Sequence, residues 1–163
     1  MIATAIAIRD LQPGDWPEVS RIYAEGIATR NATFETEVPS WDEWDEAHLA
    51  DHRLVAVAED EIVGWIALVP VSKRACYRGV AEVSAYVAEE TRGQGVGTML
   101  LERLVSDTEA GGIWTLETGV FPENETSLTL LKRSGFREVG LRERLAQLDG
   151  AWRDVVLLER RAS

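Results

Sequence analysis

Arg92-Gly93-Gln94-Gly95-Val96-Gly97 places glycine at every second position between a strand-like stretch ending at Val87 and an amphipathic stretch beginning at Gly95. Three missing side chains uncover successive backbone N–H groups, and the N-terminus of the following helix adds the positive end of its dipole. Arg92 contributes a guanidinium whose fork matches a phosphate. The loop is thus built as a pyrophosphate cradle; the plainer reading is a flexible turn. A dinucleotide fingerprint would need glycine at Thr98, although Glu117 lies near the distance where that motif carries its acid. That fingerprint also opens a βαβ unit, whereas about 90 residues precede this loop.

The surrounding pattern is mixed α/β. Ala5 to Arg9 suits a first strand, and Pro13-Gly14-Asp15 a turn whose Asp15 can cap a helix that tolerates Pro17 in its first turn. Val19, Ile22, Tyr23 and Ile27 fall at helical spacing. Residues 29–39 read as loop. Ser40 with Glu43 forms a capping-box pattern, starting a second helix that carries Trp44, Ala47 and Leu49. Leu54 to Ala58 and Ile62 to Val69 are β-branched strands around Glu59-Asp60-Glu61. Gly79 to Val87 alternates, with Ala81, Val83, Ala85 and Val87 on one face and Glu82, Ser84 and Tyr86 on the other. Gly95 to Ala110 is a helix, with Val96, Met99, Leu100, Leu104 and Val105 inward and Gly111-Gly112 as its stop. Ile113 to Phe121 is a strand, and Asn124 caps a helix running to Ser134 and ending at Gly135. Arg142 to Leu148 and Trp152 to Arg160 flank Asp149-Gly150, a strong hairpin signal. Hairpins join some strands and helices separate others, so the sheet should be mixed. With no Pro/Gly/Ser linker or repeat, residues 1–163 are expected to form one domain.

Charge and composition narrow the function. The 163 residues carry a net charge of −11, and ten acids against one base, Arg53, fall in residues 31–62. A nucleic-acid binder wants the opposite sign, so no nucleic-acid partner is expected. An anionic ligand must be held by local dipoles and a few cations against this field. Cys76 is the sole cysteine and there are two histidines, too few for a Cys/His zinc site, so no metal is expected. The longest apolar runs fall far short of a membrane span. Met1 to Ile8 lacks the basic start of a secretion signal, and the expected location is the cytoplasm.

Glu82-Val83-Ser84-Ala85-Tyr86-Val87, the loop Arg92 to Gly97, and Asn124-x-x-Ser127-x-x-Leu130 ending in Gly135-Phe136 together resemble the acetyl-CoA site of the GNAT N-acetyltransferase superfamily. Thr33-Phe34-Glu35-Thr36-Glu37, Arg74-x-x-Tyr77 and Gly150-x-Trp152-x-Asp154 are similar, in order, to the phosphinothricin and L-amino-acid acyltransferase branch. The resemblance spans Ile8 to about Leu158. It implies a mixed sheet with two splayed strands, acetyl-CoA as co-substrate, and a small amino acid or analogue as amine acceptor: phosphinothricin, methionine sulfone, methionine sulfoximine or similar. It also implies a homodimer. Pantetheine would pair with free backbone groups of Ala85, Tyr86 and Val87, and the pyrophosphate would lie on Arg92, Gly93, Gln94, Gly95, Val96, Gly97 and Thr98. Asn124 and Ser127 would line the opposite wall; an N-cap role for Asn124 is compatible with this.

Acyl transfer to nitrogen needs a neutral amine, so a base helps. Glu82 is the candidate, with burial near a cleft raising its pKa; the alternative is an exposed or ion-paired strand residue. Arg74 offers a planar fork for a substrate carboxylate, and Tyr77 and Phe34 would shape the pocket. Ser72 stands where the branch often has a second basic residue. The family helix usually carries Tyr or His seven residues after Asn124; here that residue is Leu131, which cannot move protons. A thiol of pKa ~8.5 is already a fair leaving group, and Tyr86 or water is the alternative donor. Leu131 also suits core at helical spacing. Trp152 and Asp154 would brace the last strand or a dimer contact. Two other readings stand beside the enzyme: a non-catalytic acyl-CoA-binding module and a dinucleotide-dependent enzyme.

Overall fold

A computed structural model describes residues 5–163, so the first half of the Met1 to Ile8 segment lies outside the described residues. Seven strands form one sheet in the order β1-β2-β3-β4-β5-β7-β6: β1 Ile6–Asp10, β2 Leu54–Ala58, β3 Glu61–Pro70, β4 Val80–Val87, β5 Thr115–Val120, β6 Arg137–Leu148 and β7 Ala151–Arg161. Neighbours are antiparallel except β4 and β5. That pair is joined by helix α3, Val96–Ala110, the crossover a parallel connection requires. The expected mixed sheet is therefore observed. No helix among the described residues is long and apolar enough to cross a membrane.

Helix α1, Trp16–Ala28, buries Val19, Ile22 and Ile27, as its spacing predicts. Asp15 stands at the N-cap but does not cap with its side chain. Its carboxylate instead accepts both guanidinium nitrogens of Arg9, at 2.8 and 2.9 Å, and the Gln12 N–H at 2.7 Å. A charge-assisted fork outcompetes a neutral cap bond. Helix α2, Trp41–Ala47, begins with the predicted box: Glu43 N–H donates to Ser40 Oγ at 3.2 Å and Ser40 N–H to Glu43 Oε1 at 3.3 Å. It ends at Ala47 with His48 as its C-cap, two residues short of the expected Leu49, whose N–H pairs instead with the Leu68 carbonyl at 2.8 Å.

The α1/α2 layer closes one side of the sheet through an aromatic stack of Trp16, Trp41, Trp44 and Trp65. Arg53 lies over Trp44 at 5.1 Å and pairs with Asp45, so the lone base of the acidic stretch is used internally. Helix α3 packs on the other side, burying Leu101 and Thr108 besides the expected Val96, Leu100 and Leu104; Met99 and Val105 are only partly covered. The short helix α4, Glu125–Arg133, joins it there, with Leu131 in the main core.

Both hairpin turns use left-handed residues. Glu59 and Asp60 have φ of 51° and 65°, and Glu61 already belongs to β3. Asp149 and Gly150 have φ of 52° and 80°, the pattern of a type I′ turn. The hairpin is longer than its alternation suggests, because β6 starts at Arg137. A register shift interrupts it between Arg142 and Ala146, where the Asp154 carboxylate accepts from the Arg144 N–H at 2.8 Å. Asp154 thus braces the strand pair, while Trp152 is 58% exposed.

Candidate active site

Strands β4 and β5 pair for only three residues: Val80 with Thr115, Ala81 with Leu116 and Glu82 with Glu117. Beyond that rung β5 continues along β7 and β4 along β3, and the sheet forks. Backbone polar groups of a strand alternate in direction. Ala88 N–H donates to Val63 of β3, whereas the Val83 and Val87 carbonyls receive Thr118 Oγ1 at 3.2 Å and Arg92 Nε at 3.4 Å from the other side. By this alternation Ala85 and Val87 turn their N–H and C=O groups into the gap. Tyr86 turns its backbone toward Trp65 in β3. Of the three strand residues expected at the pantetheine, Ala85 and Val87 face the gap with their backbone and Tyr86 does not.

The glycine loop lies at the open end of the fork. Gly93 and Gly95 have φ of 80° and 85°, and a Cβ on either would meet nothing within 4 Å. These two are glycine for backbone conformation and an open surface. Gly97 differs: it sits in the first turn of α3, where a Cβ would approach Leu130 Cδ2 to 3.1 Å. The first intrahelical bond is Met99 N–H to the Gly95 carbonyl at 3.1 Å, so Val96, Gly97 and Thr98 keep free helix-end N–H groups. Gln94 N–H is already given to Thr91 and Arg92 N–H to Glu89. The Val96 side chain points into the core, so only its N–H is available. Arg92 has no acidic partner among the described residues, and its side chain is exposed. A fork edge facing a gap, an open turn and a guanidinium without an acidic partner among the described residues suit a pantetheine-diphosphate ligand.

Asn124 caps α4: its Oδ1 accepts from Ser127 N–H at 3.2 Å, and its Nδ2 donates to the Asn31 carbonyl at 3.1 Å. The predicted cap is realised, and Ser127 enters through its backbone while its partly covered side chain has no hydrogen-bond partner among the described residues.

The opposite face of the fork carries Glu82, Ser84 and Tyr86, as the alternation predicts. Burial raises the Glu82 pKa first, and the neighbouring Glu117 raises it further. The residue is nonetheless exposed, so solvent reaches its carboxylate. Tyr86 stacks on Trp65 at 5.0 Å and lies 4.8 Å from the Tyr23 ring, under α1. Burial drives both phenols upward, Tyr23 to about 12, so both stay protonated at neutral pH.

Phe34 stands edge-on to Phe121 at 5.0 Å, joining a small apolar cluster with Leu148 and Val155. Arg153 caps that cluster 3.9 Å above the Phe121 ring and donates to the Arg30 carbonyl at 2.9 Å. Arg74 lies over the Tyr77 ring at 5.5 Å in the loop leading into β4; both are exposed, and Arg74 has no acidic partner among the described residues. The structure thus gathers Glu82, Tyr86 and the Phe34 wall on one sheet face and the loop residues at the fork mouth. Leu131, 7% exposed in the core, is packing. Thr118, Asn31 and Arg153 escaped the sequence reading, and Glu117 entered it only as a possible dinucleotide-motif acid, because strand register and loop docking place them.

A family model described as the acetyltransferase (GNAT) family matches residues 7–136. The Bacillus subtilis (strain 168) protein YwnH, provisionally named a phosphinothricin acetyltransferase, is 35% identical, covering 97% of this chain and 100% of that one. A Pseudomonas paraeruginosa L-methionine sulfoximine/L-methionine sulfone acetyltransferase is 26% identical, with 94% and 92% covered. The Sinorhizobium meliloti phosphinothricin acetyltransferase, solved in complex with acetyl-CoA, superposes with a TM-score of 0.88 at 25% identity, with 99% and 90% covered.

Proposed function

The chain belongs to the GNAT acetyltransferase family and is an acetyl-CoA-dependent N-acetyltransferase of the phosphinothricin and amino-acid type; from that premise we propose that Glu82 is its general base and that its acceptor is the α-amine of a small amino acid or analogue. The fork carries this reading: the sheet opens just past Glu82, a solvent-reached carboxylate held in its protonated form more readily than usual by partial desolvation and by Glu117.

Acetyl-CoA supplies the acyl group as a thioester. Arg92 and the N–H groups of Gly93, Gly95, Val96, Gly97 and Thr98 hold the diphosphate, with Gln94 adding its side chain; Ala85 and Val87 pair with the pantetheine arm beside Tyr86, and Asn124 and Ser127 close the far wall. Glu82 takes one proton from the acceptor ammonium, directly or through water, which frees the nitrogen lone pair. The nitrogen forms the new C–N bond, the C–S bond breaks with its electrons on sulfur, and a second ammonium-derived proton leaves through water to the thiolate while the third stays as the amide N–H. Leu131 cannot give that proton, and a thiolate leaves without much help. Arg74 clamps the acceptor carboxylate, with Tyr77 and Phe34 bounding its side chain; phosphinothricin, methionine sulfone and methionine sulfoximine all carry the α-amino-acid head this arrangement suits.

Val139, Leu141, Leu145 and Trp152 are exposed apolar residues on the edge hairpin β6–β7, which supports a homodimer through that surface. The whole chain acts as one domain, and its co-substrate supports a cytoplasmic location. No nucleic acid, membrane or metal is part of this reading.

Thiol release from acetyl-CoA over an amine panel tests it. Glu82→Gln should slow kcat by about 10²-fold or more while acetyl-CoA still binds; equal rates overturn the base assignment. Tight acetyl-CoA binding with no thiol release would instead favour an acyl-CoA-binding module, and displacement of acetyl-CoA by NAD would point to dinucleotide chemistry.

A further inference from the structure

We infer that Glu117 is a positioning residue for this transfer: standing beside Glu82 on the last rung before the strands part, it keeps Glu82 ready to take the amine's proton. The inference rests on Glu82 being the base.

Adjacent parallel strands in register point paired side chains to the same face, about 5 Å apart. Glu82 and Glu117 are such a pair, and pairing ends with them. The rung continues from Glu117 to Glu159 on β7 and on to Arg137 on β6. The three carboxylates fare differently. Arg137 at 2.6 Å and Arg161 at 2.9 Å neutralise Glu159. Among the described residues, neither Glu82 nor Glu117 has a salt bridge or a side-chain hydrogen bond, in a fold where many other acids are paired.

The groups around the pair leave Glu117 as its dominant charge. On the β3 side the neighbour is Val69, which is uncharged. From β4 itself comes Tyr86, from α1 Tyr23, and from the loop after α1 Glu35, whose charge bears on both phenols. Lys73, Arg74 and Arg78 lie on the loop before β4 and form no ion pair with either acid. A like charge held at fixed distance makes a carboxylate prefer its protonated form. Glu117 therefore strengthens the base without touching the reacting atoms, and the burial and charge effects on Glu82 act in that same direction.

Glu117→Gln keeps the rung and removes the charge. Rates of thiol release across pH, with a fixed small amino-acid acceptor, should show the acid limb of kcat/KM moved to lower pH. The plateau kcat should fall about three- to tenfold, a fraction of what a positioned base supplies, with acetyl-CoA affinity unchanged. Glu117→Asp, which restores the charge, should return the limb toward the parent position. An unchanged limb and kcat in Glu117→Gln, while Glu82→Gln is slow, overturns the role of Glu117 alone. A fast Glu82→Gln overturns the base reading. Matched losses of acetyl-CoA affinity and melting temperature in Glu117→Gln would make the residue structural and also overturn the inference.

Discussion

Asn124 Nδ2 donates to the Asn31 carbonyl at 3.1 Å, so the residue that caps α4 also fastens the loop carrying Phe34. On the proposed reading, the cofactor wall and the acceptor wall share one side chain. The two duties separate by substitution. Asn124→Ala loses both and should cost about 1 kcal/mol of stability, the usual worth of an N-cap. Asn124→Asp keeps the capping oxygen but turns an acceptor toward the Asn31 carbonyl. Its melting temperature should stay nearer the parent while the acceptor KM rises, as thermal melts and steady-state kinetics will show.

Glu82 should trade stability for chemistry. Its folded pKa is raised, so the folded state binds a proton more readily than the unfolded chain. Stability then declines as pH rises from the ordinary carboxylate range through the raised folded value. Glu82→Gln removes that decline. The variant should be slower yet at least as stable as the parent at neutral pH, by urea unfolding at several pH values. A Gln variant less stable than the parent throughout would contradict this.

Asp15 works in the opposite sense. The Arg9 fork holds its carboxyl below the usual carboxylate range, despite some burial. The pair's stabilisation is fully present above the unfolded carboxylate value and is lost as pH falls through the lowered folded one. Arg9 is 46% exposed, so screening leaves about 1 kcal/mol or less. Asp15→Asn should cost that much at neutral pH and flatten the acid side of the stability curve.

Gly26 lets α1 lie directly against the Tyr86 ring. A Cβ there would fall 2.5 Å from Tyr86 Cδ1 and 2.7 Å from Cε1. Alanine normally favours a helix interior by about 1 kcal/mol over glycine. Here overpacking should win, with Gly26→Ala destabilising by about 1–3 kcal/mol and displacing the Tyr86 ring at the fork. Calorimetry measures the first effect and acetyl-CoA affinity the second.

Local chemistry made much of this molecule readable. The Ser40 box, the Asp149-Gly150 turn, the alternation of β4 and the conformation of Gly93 and Gly95 all follow from residues close in sequence. What depended on distant partners was hidden. Asp15 looked like a cap because nothing local announces the Arg9 fork. Leu49 left its helix because Leu68 offered its N–H a sheet partner. Glu117 drew notice only for its distance from the glycine loop until register set it beside Glu82. Gly97, grouped with its loop by spacing, answers to Leu130 on another helix.

The three-rung ladder between β4 and β5 has a kinetic meaning. A docking strand usually needs either an outer edge, which invites unwanted neighbours, or a broken pair, which slows arrival. This sheet keeps its vacancy indoors, with Ala85 and Val87 already facing it and helices α3 and α4 on one side. On the proposed reading, entry of an extended amide-bearing arm then breaks no strand ladder and has only the long Arg92 Nε bond to the Val87 carbonyl to displace, so its on-rate should be limited by encounter.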